Sequence, residues 1–181
     1  LQPVELKKAC TVTGIPSLDK EPVAYVVYND ANRNEYYLIE NRQQDGWFAE
    51  DEAKGLMVTH VDFDEDAWWN NTVNDIPGHQ RCAIVPADNK ADDYSYSGDL
   101  YPYKGNNQLT NTSSPAATLF NSNTDGTKFL SKPITHMSYG ADGLASFAFM
   151  GGLSLDIPAE LSTEEASANG FTARWGAVDK A

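Results

Sequence analysis

Pro22-Val23-Ala24-Tyr25-Val26-Val27-Tyr28 and Glu35-Tyr36-Tyr37-Leu38-Ile39-Glu40-Asn41-Arg42, with Asn29-Asp30-Ala31-Asn32-Arg33-Asn34 between them, decide the fold. Both runs are dense in β-branched and aromatic residues, which suit a pleated, half-buried surface. The segment between them is rich in Asn and Asp, whose side chains bond their own backbone in turns. Two such runs joined by such a turn predict an antiparallel hairpin. Residues 55–61, Gly-Leu-Met-Val-Thr-His-Val, are nearly continuously apolar and predict a third strand covered on both faces.

Outward from this hairpin the pattern stays β-like. Residues 81–86 predict a fourth strand ending at Pro86, which has no N–H for a ladder. Residues 64–70 predict a short helical turn with Trp68 and Trp69 packed beneath it. Residues 133–137 and 144–150 predict a closing hairpin around a Gly/Asp turn at 139–143. Residues 88–127 differ, being rich in Asn, Asp, Ser, Thr, Gly and Tyr. A loop of that length in a compact domain is functional or held by ligands. Tyr94, Tyr96, Leu100, Tyr101 and Tyr103 are its candidate anchors. The expected class is mainly β: an antiparallel, β-sandwich-like domain with long loops and few short helices.

Gly151-Gly152 marks a break, which divides the chain into a β-rich domain at 1–151 and a second module at 152–181. In the latter, residues 157–161 and 170–175 read as strands, and Phe171, Ala173 and Trp175, spaced two apart, share one face. This stretch resembles the first two strands of a fibronectin type III domain. Such a sandwich needs about seven strands, so the module is expected to be truncated. The opening residues, Leu1 to Leu6, read like mid-protein sequence and suggest a piece of something longer.

The formal net charge is −13, from 13 basic and 26 acidic side chains. Such a surface repels phosphate backbones and anionic lipid headgroups, which argues against nucleic-acid and membrane-surface partners. No apolar run approaches the roughly 20 residues of a membrane helix. The two cysteines, Cys10 and Cys82, form no C-x-x-C pair, which excludes a structural zinc site of that kind. A disulfide between them and two separate thiols both remain open.

Hard cations are the ligands an acidic chain suits. Asp62-x-Asp64-x-Asp66 presents carboxylates at alternate positions, as calcium requires, although Ala67 and Val73 stand where an EF-hand has its Gly and Glu. Asn121-x-Asn123-x-Asp125-Gly126 also reads as an Asp-Gly turn, and Lys132 occupies its Glu position. Asp88, Asp92, Asp93 and Asp99 form a third acidic group. The plain alternative for all three is a solvated surface. Glu40 and Arg42, flanking Asn41, read as an ion pair fixing neighbouring loops or bordering a cleft. His60 sits on an apolar strand, where a hydrogen-bonded core residue is the common outcome and a ligand the rarer one. His79, after Pro77-Gly78, reads as a turn residue. No Ser-His-Asp spacing, nucleophile elbow or phosphate-binding Gly loop is present.

Three stretches carry a family resemblance. Residues 35–43 with Gly46-Trp47, residues 55–62, and Asp99-Leu100-Tyr101-Pro102 followed by residues 109–115 resemble segments of immune inhibitor A-like secreted zinc metallopeptidases. In that family they follow the catalytic zinc helix. The family's H-E-x-x-H motif puts two imidazoles on one helix face with a general-base Glu. Here none of His60, His79 and His136 precedes a Glu, and none has a His four residues on. The resemblance therefore implies a non-catalytic, secreted or cell-surface β-rich part of such an enzyme. Its partner is the rest of the parent polypeptide, which would hold the zinc and meet the protein or peptide substrate. Two rival readings are an adhesion or carbohydrate-binding module, using Trp47, Trp68, Trp69, Tyr101 and Tyr103, and a hydrolase pairing Glu40 with Asp62. The latter needs the two carboxyls about 5 to 10 Å apart.

Overall fold

Alternation along one strand organises the molecule. In the computed structural model, which describes residues 2–90 and 96–152 and the backbone of 162–167 and 170–174, strand β4 (Glu35–Arg42) buries every second side chain. Glu35, Tyr37, Ile39 and Asn41 point inward, and Tyr36, Leu38, Glu40 and Arg42 are only half-covered. This is the period-2 geometry of a pleated strand. Strand β3 (Ala24–Tyr28) pairs antiparallel with β4 from Ala24 opposite Glu40 to Tyr28 opposite Tyr36, completing the expected hairpin. Strand β5 (Gly55–Asp62) pairs along the whole of β4, from Glu35 opposite Asp62 to Arg42 opposite Gly55. As its apolar run implied, β5 is buried at all but one position.

Two short strands flank these three. Strand β1 (Val4–Glu5) lies parallel to β3, and β6 (Cys82–Ile84) lies antiparallel to β5, giving the order β1-β3-β4-β5-β6. The fourth strand is thus shorter than residues 81–86. A second sheet of order β2-β8-β7 comprises β2 (Cys10–Ile15), β7 (Ile134–Tyr139) and β8 (Ala145–Phe149). Strands β7 and β8 are the predicted closing hairpin. Strand β2 has no counterpart among the expected elements: Gly14, at φ +69°, interrupts its pattern where the β2–β8 register shifts. A bulge of this kind re-aims the strand, so Ile15 reaches the core at 1% exposure.

The inner face of the larger sheet and the smaller sheet enclose one core. Tyr37, Ile39, Leu56 and Val58 meet Ile15, Met137, Phe147 and Phe149 there. Tyr25 meets Phe147 edge-to-face at 5.6 Å. The expected mainly β, sandwich-like class holds. Cys10 and Cys82 are free thiols, one in each sheet. Among the described residues no helix is long and apolar enough to cross a membrane.

The long segment after β6 is held by backbone pairing of its own. Bridges join Leu56 to Tyr101, Leu109 to Ile134 and Thr118 to Phe129. Leu100 and Tyr101 are buried anchors, as expected, whereas Tyr96 is half-exposed. Tyr94, Asp92 and Asp93 lie outside the described residues. Residues 123–127 form the turn that their Asp-Gly pair suggested, closed by Gly126 N–H to Asn123 O at 2.9 Å.

Helix α1 (Glu65–Trp69) follows β5. Five residues are too few to hold a helix by propensity. Asp64 caps it by accepting from Ala67 N–H at 2.9 Å, and Phe63 packs on Trp68 at 5.1 Å. Trp69 is 88% exposed, so only one of the two tryptophans packs. Consecutive helical residues point about 100° apart, and one surface takes one ring. Asp64→Ala is expected to lower unfolding free energy by about 1 kcal/mol; a thermal melt unchanged from the parent would refute the cap's role.

Strands β9 (Ser162–Ser167) and β10 (Gly170–Arg174) pair antiparallel. The latter coincides with the second strand expected in the 152–181 module. The first, at 157–161, lies outside the described residues.

Candidate functional site

The inward phase of β4 begins with a carboxylate. Glu35 is fully buried, and its cross-strand partner is Asp62 at the end of β5. Glu35 Oε1 faces His60 Nε2 at 2.9 Å and accepts the Phe120 N–H at 2.6 Å. Oε2 accepts from the Asn121 N–H at 3.0 Å and from the side-chain amides of Asn29 and Asn121, each at 3.2 Å. Burial alone pushes this carboxyl's pKa up. The bonds from His60, Phe120, Asn121 and Asn29 outweigh it and hold the pKa at about 2.

Asp62 makes a second such node. Its Oδ2 lies 2.7 Å from both His79 Nε2 and Arg81 Nη1, and its Oδ1 accepts from Asn121 Nδ2 at 3.0 Å. The Asn121 amide therefore spans the two carboxylates. Arg81 also lies 3.6 Å from Asp64.

Four rings stack in a row beside these nodes. Tyr37 and His60 are 4.6 Å apart, His60 and Phe120 5.1 Å, and Phe120 and His79 3.9 Å, with interplanar angles of 11°, 12° and 29°. Tyr37 Oη donates to Thr118 O, tying the stack to the 115–121 segment. A recess of about 320 Å³ opens alongside, lined by Tyr37, His60, Phe120, Gln80, Thr118 and Pro86.

A carboxylate on one ring nitrogen fixes an imidazole's orientation and tautomer, as in many catalytic and metal sites. Nucleophilic catalysis would further need a Ser, Thr or Cys side chain bonded to an imidazole. In the described residues, His60 and His79 hydrogen-bond only to carboxylates. Glu35 already meets five donors, more than the roughly four lone-pair sites of a carboxylate. The arrangement is a saturated polar clamp that ties the strands β4 and β5 to loop residues 79–81 and 120–121.

The residues singled out from sequence divide between two faces. His60 is the hydrogen-bonded strand residue and belongs to the clamp. Glu40 and Arg42 pair with each other at 2.7 Å on the opposite, half-covered face. Glu40 lies opposite Met57, five residues along β5 from Asp62, about 17 Å by strand rise. A hydrolase built on Glu40 and Asp62 is thereby removed. Asp62 and Asp64 share Arg81, which stands where a cation would bridge them, and Asp66 is exposed on α1. Among the described residues no three His, Cys, Asp or Glu side chains group as metal ligands, so the calcium expectation gains no ligand set. The sequence alone marks none of Glu35, Arg81 and Phe120 as site residues, and it offers His79 as a turn residue and Asn121 as part of an Asp-Gly turn or calcium loop. For Glu35 a signal existed: it shares the alternation phase of Tyr37 and Ile39.

The aromatics of the adhesion reading separate. Trp47 is 93% exposed in a 3-10 turn (Gly46–Phe48) beyond the end of β4, and Trp69 stands beyond the end of β5. Because the two strands are antiparallel, these are opposite ends of the sheet. Tyr101 is fully buried. No family model matches the chain, and no curated protein or solved structure matches it either.

Proposed function

We propose that this chain is a non-catalytic, β-rich part of a secreted, immune inhibitor A-like zinc metallopeptidase, and that it supports or flanks the catalytic part of the parent polypeptide. One observation carries the reading: the stretches that bear the resemblance assemble into one unit. Residues 35–42 and 55–62 pair along their full length, and Leu56 is bridged to Tyr101 of the third stretch. At their junction the acid–base groups are spent on each other. A scaffold needs that saturation and a catalyst does not. The zinc and the peptide substrate would belong to the catalytic part.

Of the five rings in the adhesion reading, Trp47 and Trp69 are the strongly exposed ones, and rings at opposite ends of a sheet form no common stacking platform. The test is direct. The reading frame upstream of Leu1 should encode H-E-x-x-H. A polypeptide extended through that motif should hydrolyse casein and lose the activity to a chelator, and the 181-residue chain should show none. Chelator-sensitive hydrolysis by the chain alone, or an upstream frame without the motif, would overturn the proposal.

A further inference from the structure

The outer face of the larger sheet carries the apolar side chains of Leu38, Met57 and Ile84, which are half-covered, buried and exposed respectively. Toward the β4–β5 end it forms a groove of about 270 Å³. Met57 and Leu100 make its floor at 8% exposure each, and Ile84 and Tyr96 stand 41% and 50% exposed along it. Three successive carboxylates, Glu50, Asp51 and Glu52, line one side. The basic residue in the lining, Arg42, is held by Glu40 at 2.7 Å and lies over the Phe48 ring at 4.7 Å, so its charge is already matched.

An apolar floor beside a run of negative charge selects its guest. Arginine and lysine lay their aliphatic stems on apolar surface while the charged head reaches a carboxylate. A half-exposed tyrosine ring adds a face on which a guanidinium stacks. An acidic segment would be repelled, and a second copy of this chain carries −13 to the encounter.

We propose that this groove docks a polypeptide segment in which arginine or lysine side chains alternate with aliphatic ones. The inference does not depend on the metallopeptidase reading, because it rests on the groove and its charges alone. The probe is a fluorescein-labelled peptide of alternating arginine and leucine, with a glutamate–leucine peptide as its counterpart, read by anisotropy at low salt on the full chain. The arginine–leucine peptide should bind and the glutamate–leucine peptide should not. The triple variant Glu50→Gln/Asp51→Asn/Glu52→Gln should weaken binding roughly tenfold. Ile84→Ser, a change at a half-exposed position, should weaken it several-fold (roughly) through loss of apolar contact. The control Glu65→Gln/Asp66→Asn/Asp75→Asn removes the same three charges elsewhere and should bind as the parent does. Equal loss in that control would reduce the effect to net charge and overturn the proposal. So would unchanged binding in the triple variant, equal binding of both peptides, or a self-associated chain whose dimer is lost in Ile84→Ser.

Discussion

Glu35→Ala is expected to lower the unfolding free energy by about 3 to 5 kcal/mol, the range for removing one partner from a buried charged network. The side chain is fully buried and serves donors from three segments: His60 on β5, the amide of Asn29, and the backbone and side chain around Phe120 and Asn121. Alanine would strand those donors away from water, at about 1 to 3 kcal/mol each if none relaxed. The sum overshoots because the 120–121 segment can swing out to solvent, and the expected total is smaller for that reason. Urea denaturation followed by far-UV circular dichroism measures it. A loss below about 1 kcal/mol would contradict the clamp.

The same carboxylate sets an acid limb. Its pKa falls from an ordinary 4.5 to about 2 on folding. A depressed pKa means that the unfolded chain takes up the proton first. The stabilisation is complete above about pH 4.5 and drains away as the pH falls through about 2. A shift of that size corresponds to about 3 kcal/mol. Glu35→Gln should therefore be less stable at neutral pH, with a visibly flatter stability profile between those two pH values. Parallel profiles for the two proteins would show that another group governs the acid limb.

Asn41→Leu is expected to cost about 2 to 4 kcal/mol, with two carbonyls and one amide left without partners. Asn41 is fully buried, and its amide donates to Ile15 O at 2.8 Å and Gly143 O at 2.9 Å while its oxygen accepts from Gln43 at 2.8 Å. It joins β4 of the larger sheet to the end of β2 and to the turn between β7 and β8. Leucine keeps the heavy-atom count and the branch at Cγ but is bulkier, so the loss reports the bonds together with some overpacking. Amide exchange should accelerate at Ile15 and around Gly143 before it does in β4. Uniform acceleration across both sheets would argue for simple global destabilisation instead.

The strands β3, β4 and β5 were legible because hydrophobic alternation is local. The phase of β4 held more than was drawn from it: the positions that bury Tyr37 and Ile39 bury Glu35 and Asn41 too. Glu40 and Arg42 drew notice as neighbouring opposite charges, yet they occupy the half-covered phase. His79 and Asn121 were not legible in that way. Their partners lie 17 and 59 residues away at Asp62, and 86 away at Glu35. Nothing in a short window marks a Pro-Gly-His turn as the holder of a strand's terminal aspartate. Strand β2 escaped for a related reason: its pairing with β8 spans most of the chain, and Gly14 breaks its local pattern.

The larger sheet ends in two stubs, Val4–Glu5 on one flank and Cys82–Ile84 on the other. Unpaired N–H and C=O rows invite foreign strands, and short or charged margins discourage them. Glu5 here is clasped by Lys7 and Arg33, and Pro86 follows shortly after the other stub. The three long central strands, which would template a fibre best, are thereby fenced from a growing filament.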